Sequence, residues 1–356
     1  MPLRVRDKVF HALGILSLLF LIAALFLARR PLQIQDEMRT ASRRMAEAVA
    51  AVRECREAAG IPQDPSRDIN RTGLIGLESS PITTSLGNLE AKRTTLNPNF
   101  AGLIVLLLRQ AGVGRGETIA IGASSSFPGL ITASLCAAEA MGLRPLLICS
   151  LGASHWGANH PEFHWLRILD CLNRSRISAA RPIALSLGGD GDVGKDMSPE
   201  GRELLVRAVG ETGLLFLSEP DLERNVTERI RLFESAAGGE EIRAFINVGG
   251  GTANIGTDSE ILKVSPGLAV FSRIPPRGRR GLIFEMAARG IPVIHLLYVK
   301  GICERYGLPW DPVPLPEPGE GDLYREKEMI PWVFLALAGA YFLALAMVLA
   351  TGASRA

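Results

Sequence analysis

Residues 117–150 read ETIAIGASSSFPGLITASLCAAEAMGLRPLLICS, and this stretch decides the fold. Glu117-Thr118-Ile119-Ala120-Ile121-Gly122 is a short β-branched run, which predicts a strand over 117–122. Small residues and Pro128 interrupt it, and an apolar helical pattern follows over 129–141 until Gly142 stops it. Arg144-Pro145-Leu146-Leu147-Ile148-Cys149 then predicts a second strand. A strand, a helix and a strand within so short a length make a crossover unit, and crossovers join parallel strands.

The alternation continues outward. An apolar helix is expected over 99–111, strands over 183–186, 214–217, 243–248 and 292–296, and helices over 199–211 and 222–235. The expected fold class is therefore α/β, a mostly parallel sheet covered by helices on both faces. Before it, Met38, Met45, Val49 and Val52 recur at helical spacing over 35–59, with Gly60 as the stop. Residues 62–95 are rich in Ser, Thr, Asn and Gly and read as ordered loop with short strand. A Pro-rich stretch over 309–318 reads as a stiff connector.

Two uncharged hydrophobic runs, 9–28 and 330–351, bracket all of this. About twenty apolar residues cover a hydrocarbon core of ~30 Å. The first run is longer than a typical signal-peptide core, and Leu27-Ala28-Arg29-Arg30 is a poor cleavage site. The expected organisation is a tail and transmembrane helix (1–30, span 9–28), a membrane-proximal helix (31–60), an α/β domain (61–325), and a transmembrane helix with tail (326–356, span 330–351). Such a two-pass chain is tethered at each end and has both termini on one side of the membrane. Arg29, Arg30, Arg39, Arg43 and Arg44 favour a cytoplasmic domain, whereas the short basic tail carrying Arg4, Arg6 and Lys8 favours the opposite. The side stays undecided.

Lys and Arg total 39 against 37 Asp and Glu, a formal charge of +2, so no global field draws nucleic acid to the chain. Cys55, Cys136, Cys149, Cys171 and Cys303 form an odd set without a CxxC pair. They read as neither a disulfide framework nor a zinc site, with Cys136 and Cys149 as buried small hydrophobes.

Four loops carry chemistry, and each follows an expected strand. Ser124, Ser125 and Ser126 stand in the first, which only partly resembles a nucleophile elbow because Ser126 replaces the second glycine. The second, 150–165, gathers three of the five histidines, with Ser154, His155, Trp156 and Asn159 as candidate ligand contacts; its histidine spacing supports no metal, so no metal site is expected. The third offers Asp190 and Asp192 among glycines and is not an EF-hand. The fourth, Asn247-Val248-Gly249-Gly250-Gly251-Thr252-Ala253-Asn254, can bring backbone close to a carboxylate or phosphate, yet it is no Walker loop. Parallel strands end on one side, so these loops are expected to share a cleft beyond the carboxyl edge of the sheet. Arg277-Gly278-Arg279-Arg280 reads as a solvated turn.

The blocks GLESSPITTSLGNLEAKRTTLNPNFA (76–101), GASSSFPG, SLGASHWGANHPEF, SLGGDGDVGKDMSPEGRELL, INVGGGTANIG and IHLLYVKGICERYGLPWDP resemble the poly-gamma-glutamate system protein family. That resemblance covers roughly 76–312 plus both hydrophobic runs. It implies a bacterial inner-membrane accessory protein of poly-gamma-glutamate capsule synthesis or export, with other subunits of that complex and the acidic glutamyl polymer as partners. It implies a pathway and not a reaction: it assigns no catalytic residue, and the cofactor stays unknown. Three functions follow as expectations. The first is a cleft that binds polymer, glutamyl precursor or partner subunit. The second is a hydrolase or transferase of gamma-glutamyl bonds, with Ser124 or Ser125 as nucleophile and His155, His295 or Asp190 as candidate acid–base groups. The third, a nucleotide-dependent ligase component, ranks last for want of a phosphate loop.

Overall fold

The computed structural model describes residues 3–324 and 331–353, with many side chains of 3–33 and 331–353 outside the description. Its strands are β1 (Thr118–Ser124), β2 (Arg144–Ser150), β3 (Ala184–Ser186), β4 (Leu215–Leu217), β5 (Ile242–Val248), β6 (Gly267–Leu268) and β7 (Val293–Leu296). The helices are α1 (Leu3–Ala58), α2 (Leu89–Thr94), α3 (Asn99–Gln110), α4 (Pro128–Met141), α5 (Trp165–Arg174), α6 (Pro199–Thr212), α7 (Leu222–Ala237), α8 (Thr252–Ile255), α9 (Leu282–Ala288), α10 (Val299–Tyr306) and α11 (Pro331–Ala353). Two compact units result: Glu37–Leu323, and Met1–Asp36 with Tyr324–Ala356.

The larger unit is built on a seven-stranded sheet ordered β4-β3-β2-β1-β5-β7-β6, parallel except where β6 meets β7. All seven residues of β1 are buried, as a strand covered on both faces requires. From β1 the chain winds outward through β2, β3 and β4, then returns to β5 on the other side of β1 and continues outward to β7. Right-handed crossovers of opposite travel put their helices on opposite faces. Accordingly Val226, Ile230 and Phe233 of α7 and Leu282, Ile283, Phe284 and Met286 of α9 share one cluster with Ala120, Leu146, Ile148, Phe245 and Val293. The alternate residues Ile119, Ile121, Leu147, Ile246 and Ile294 are equally buried. They turn to the opposite face, where α4, which contacts β1, β2 and β5, packs.

Local signals explain the boundaries. Pro128 opens α4 and Gly142 closes it at φ +62°, a left-handed stop that glycine adopts without strain. Ser198 and Asp221 accept from the backbone N–H groups of Gly201 and Arg224 and so cap α6 and α7. Met38, Met45 and Val52 of α1 are buried, so 37–58 is a packed helix of the larger unit rather than a free stalk.

Three expectations need correction. Residues 62–95 hold the helix α2, and their strand character is limited to one bridge between Thr83 and Ala153. The expected elements omit α5, α9, α10 and β6, although α5 carries a helical stripe, Trp165, Ile168, Leu169 and Leu172, that is buried. The cysteines do include a crosslink: Cys55 of α1 and Cys171 of α5 form a disulfide with Cα atoms 6.1 Å apart across a separation of 116. Tertiary packing alone creates that proximity, so no local spacing announces it. Cys136, Cys149 and Cys303 are free and buried.

In the smaller unit, Ser17 Oγ lies 2.7 Å from Tyr341 OH, and the Phe20 and Tyr341 rings stack at 4.9 Å. Among the described residues no helix is long and apolar enough to cross a membrane. Ile330 and most side chains of 9–28 fall outside the described residues.

Unfolded wild-type protein should therefore titrate three free thiols before reduction and five after it. Cys171→Ser should lower stability by ~2–5 kcal/mol in non-reducing denaturant unfolding, since the crosslink no longer restricts the unfolded chain.

Candidate functional site

The point where the two windings part lies between β1 and β5, and loops on both sides of such a point cannot bridge it. There a cleft of about 500 Å³ opens, lined by Thr84 to Asn88, Ala91 and Lys92 from the α2 segment, Ser124, Ser126 and Phe127 after β1, and Ser154 after β2. Gly189, Asp190 and Asp196 after β3, and Gly250, Gly251 and Thr252 after β5, complete it. Close approach is built into its floor. A Cβ on Gly122 would stand 2.8 Å from both Phe245 Cζ and Asn254 Oδ1, and one on Gly249, at φ +82°, would crowd Ser124 Cβ at 3.2 Å.

Of the residues expected from sequence, Ser124, Ser126, Ser154, Asp190, Gly250 and Gly251 meet in this cleft. The others have structural partners. Ser125 is fully buried and donates its hydroxyl to the Ser150 carbonyl at 2.6 Å, a pin between β1 and β2 that takes this hydroxyl out of the cleft. Asn159 donates to Leu77 O and Thr83 Oγ1 and accepts from Leu77 N–H, so its side-chain hydrogen bonds hold the 77–83 segment. Trp156 lies under the Arg67 guanidinium at 5.1 Å, and the backbone N–H of His155 is spent on Ser85 O.

Asp192 is not a cation ligand. It forms a buried ion pair with Arg229 at 2.5 Å and accepts from Ser186 Oγ and Asn225 Nδ2. Asn247 donates to Gly249 O and meets His295 Nδ1 at 2.9 Å across the β5–β7 register, while Asn254 packs its amide oxygen against Gly122. Burial pushes the His295 imidazole down to about 4, and that of His164 likewise, so both stay neutral at physiological pH. Neither lines the cleft. Among the described residues no group of three or more His, Cys, Asp or Glu could hold a metal. The 277–280 turn is partly absorbed by an Arg280–Glu285 pair at 2.7 Å.

The residue that sequence reading passed over is Lys92. It sits on the short helix α2, capped by Asn88, and is only 3 % exposed. Its ammonium donates to Ser126 O and, at 2.7 Å, to Ser154 Oγ, and it stands 3.7 Å from the centre of the Phe127 ring. Ser126 Oγ in turn accepts from the Ser154 N–H at 3.0 Å and from Ser124 Oγ at 3.0 Å. Among the described residues no carboxylate pairs with Lys92. Desolvation therefore drives the amine down from 10.5 to about 7. Asp196 moves the other way, raised by its own partial burial and by nearby Asp190. No protein-family model, curated protein or solved structure matches this chain.

Two measurements check this account. Arg229→Met leaves the Asp192 carboxylate buried without its partner and should cost ~3–5 kcal/mol in chemical unfolding. For Lys92, the unfolded chain keeps the proton up to about 10.5 while the folded chain releases it near 7. Stability should thus rise with pH between these values, by ~1.4 kcal/mol per unit at most. Lys92→Met should remove that slope.

Proposed function

We propose that this chain is a membrane-anchored component of bacterial poly-gamma-glutamate synthesis or export, and that its cleft takes the glutamyl polymer or a glutamyl precursor. One observation carries the reading. Five of the six blocks that resemble the family, 76–101, 122–129, 150–163, 186–205 and 246–256, supply the cleft lining, and only the sixth, 294–312, lies outside it. A gamma-linked glutamyl chain offers a carboxylate and an amide at every residue. The cleft answers with the hydroxyls of Ser124, Ser126, Ser154 and Thr252, the polypeptide backbone of Gly250 and Gly251, and one cationic group, Lys92. Asp190 and Asp196, also in the lining, suit an amine end or a bridging cation rather than a second carboxylate.

Anchoring at both ends is supported by the apolar runs 9–28 and 330–351 and by the large hydrophobics left exposed on α1 and α11. Ile15, Leu18, Phe342, Leu343 and Met347 are each more than half exposed, a surface that suits lipid better than water. Ser17 and Tyr341 then satisfy each other in an apolar surrounding. The Cys55–Cys171 disulfide supports placing the α/β domain on the oxidising, extracytoplasmic face, because such bonds persist where thiols are not kept reduced. The basic tail with Arg4, Arg6 and Lys8 then stays inside, in keeping with its resistance to translocation.

Deletion of the gene should reduce surface polymer; a deletion strain with normal polymer amount, length and attachment would end this reading. Gly250 has ordinary van der Waals room for a side chain, its nearest neighbours to a Cβ lying at 3.7 and 3.8 Å. Gly250→Val should therefore fold, occupy the cleft, and weaken calorimetric binding of defined poly-gamma-glutamate oligomers at least tenfold.

A further inference from the structure

We propose that Ser154 and Lys92 are a nucleophile–base pair that makes this cleft an acyl-transfer site acting on the amide bonds of a gamma-linked glutamyl chain. The substrate class rests on the function proposed above; the pair itself rests on geometry alone. Ser154 Oγ lies 2.7 Å from Lys92 Nζ, both line the cleft, and both are nearly buried, at 6 % and 3 % exposure. Serines 124, 125 and 126 do not have that arrangement. Ser125 is bonded away to Ser150 O, and Ser124 and Ser126 bond to each other without a basic group.

A lysine buried for structural reasons normally meets a carboxylate. This one meets a carbonyl, a hydroxyl and the Phe127 ring, partners that tolerate a neutral amine. Among the described residues, none of the charged or titratable groups around it forms an ion pair with it. Arg93, next on α2, is paired with Asp311; Glu90 lies on the same helix; Asp190 and Asp196 face the cleft from the loop after β3; His155 adjoins Ser154. With burial holding the amine near 7, a sizeable neutral fraction exists at physiological pH, as a general base requires.

The step balances without any further reagent than water or an amine. Neutral Lys92 takes the Ser154 hydroxyl proton as Oγ attacks the amide carbon. The ammonium then returns that proton to the leaving nitrogen as the C–N bond breaks, leaving an ester on Ser154 and a free amine. Water, or the amine of an acceptor, attacks the ester while Lys92 takes its proton, and the Ser154 oxygen leaves and regains that proton. Ser126, whose Oγ accepts two hydrogen bonds, retains its own O–H to offer to the developing oxyanion.

The test uses full-length protein in detergent and two probes, a fluorophosphonate and a defined poly-gamma-glutamate. The fluorophosphonate should modify Ser154, identified by peptide mass, at a rate that rises through a pH of about 7. Lys92→Met should slow this by at least 100-fold, and Ser154→Ala, a minimal truncation that keeps the fold, should abolish it. The polymer should be shortened, or extended onto an added amine, by wild type only, while Ser154→Ala still binds it. Absence of label at Ser154 together with retained polymer binding overturns the pair and leaves the proposed function standing. Label at Ser154 with polymer neither bound nor cut overturns the glutamyl substrate, and the proposed function with it.

Discussion

The constraint on which the rest depends is the central placement of β1. It pairs with β2 on one side and β5 on the other, and it can do so closely because Gly122 presents no side chain to Phe245 and Asn254. One winding starts from this strand and the other from β5 beside it, so the loops after β1 and β5 diverge and leave space at their carboxyl ends. A larger residue at 122 would push β5 away and misplace Gly249, Gly250 and Gly251 relative to Ser124. The cleft is thus a consequence of strand order before it is a consequence of any polar side chain.

Its roof comes from a segment that has no regular structure for most of its length. Residues 76–88 lie against the 152–159 loop at distances only glycine permits: a Cβ on Gly76 would stand 1.9 Å from Gly157 O, and one on Gly87 2.5 Å from His155 O. Asn159, fully buried, ties Leu77 and Thr83 to that loop through three hydrogen bonds. Because the loop and the segment are locked together, Asn88 can start α2 at the cleft edge and aim Lys92 at Ser154. Asn159 is therefore a strut whose removal would act on the site at a distance.

Most of the sheet was legible because its strands are short apolar runs alternating with helical patterns and its long helices have clear stops, as at Gly60, Gly142 and Gly213. The grouping of Ser124, Ser154, Asp190 and Gly250 followed from one rule about parallel strands. What was not legible depended on burial. Asp192 and Asp190 look alike in sequence, yet one is paired with Arg229 inside the domain and the other is exposed. Lys92 stands in a run of Ala, Lys, Arg and Thr with nothing to mark it as buried, and the Cys55–Cys171 bond joins residues too far apart for any spacing to reveal. A capping residue, Asn88, was the one local sign that a helix begins there.

Two buried cations show how differently the domain treats charge. Arg229 is compensated by Asp192 and by Asn225 and Ser186, so it holds β3 to α7 and is chemically quiet. Lys92 has no such partner, and the fold must supply stability elsewhere to keep it in place. That supply is visible on the neighbouring residues of α2. Arg93 grips both oxygens of Asp311, and Thr94 Oγ1 accepts from the Asp311 N–H at 2.8 Å. Asn99 then holds the same connector through Glu317, Glu320 and Gly319. The Pro-rich stretch expected to be only a stiff link is thus the clamp that keeps α2 seated. Loosening Asp311 would let water reach Lys92, restore its ordinary basicity and discharge the very feature that sets it apart from a surface lysine.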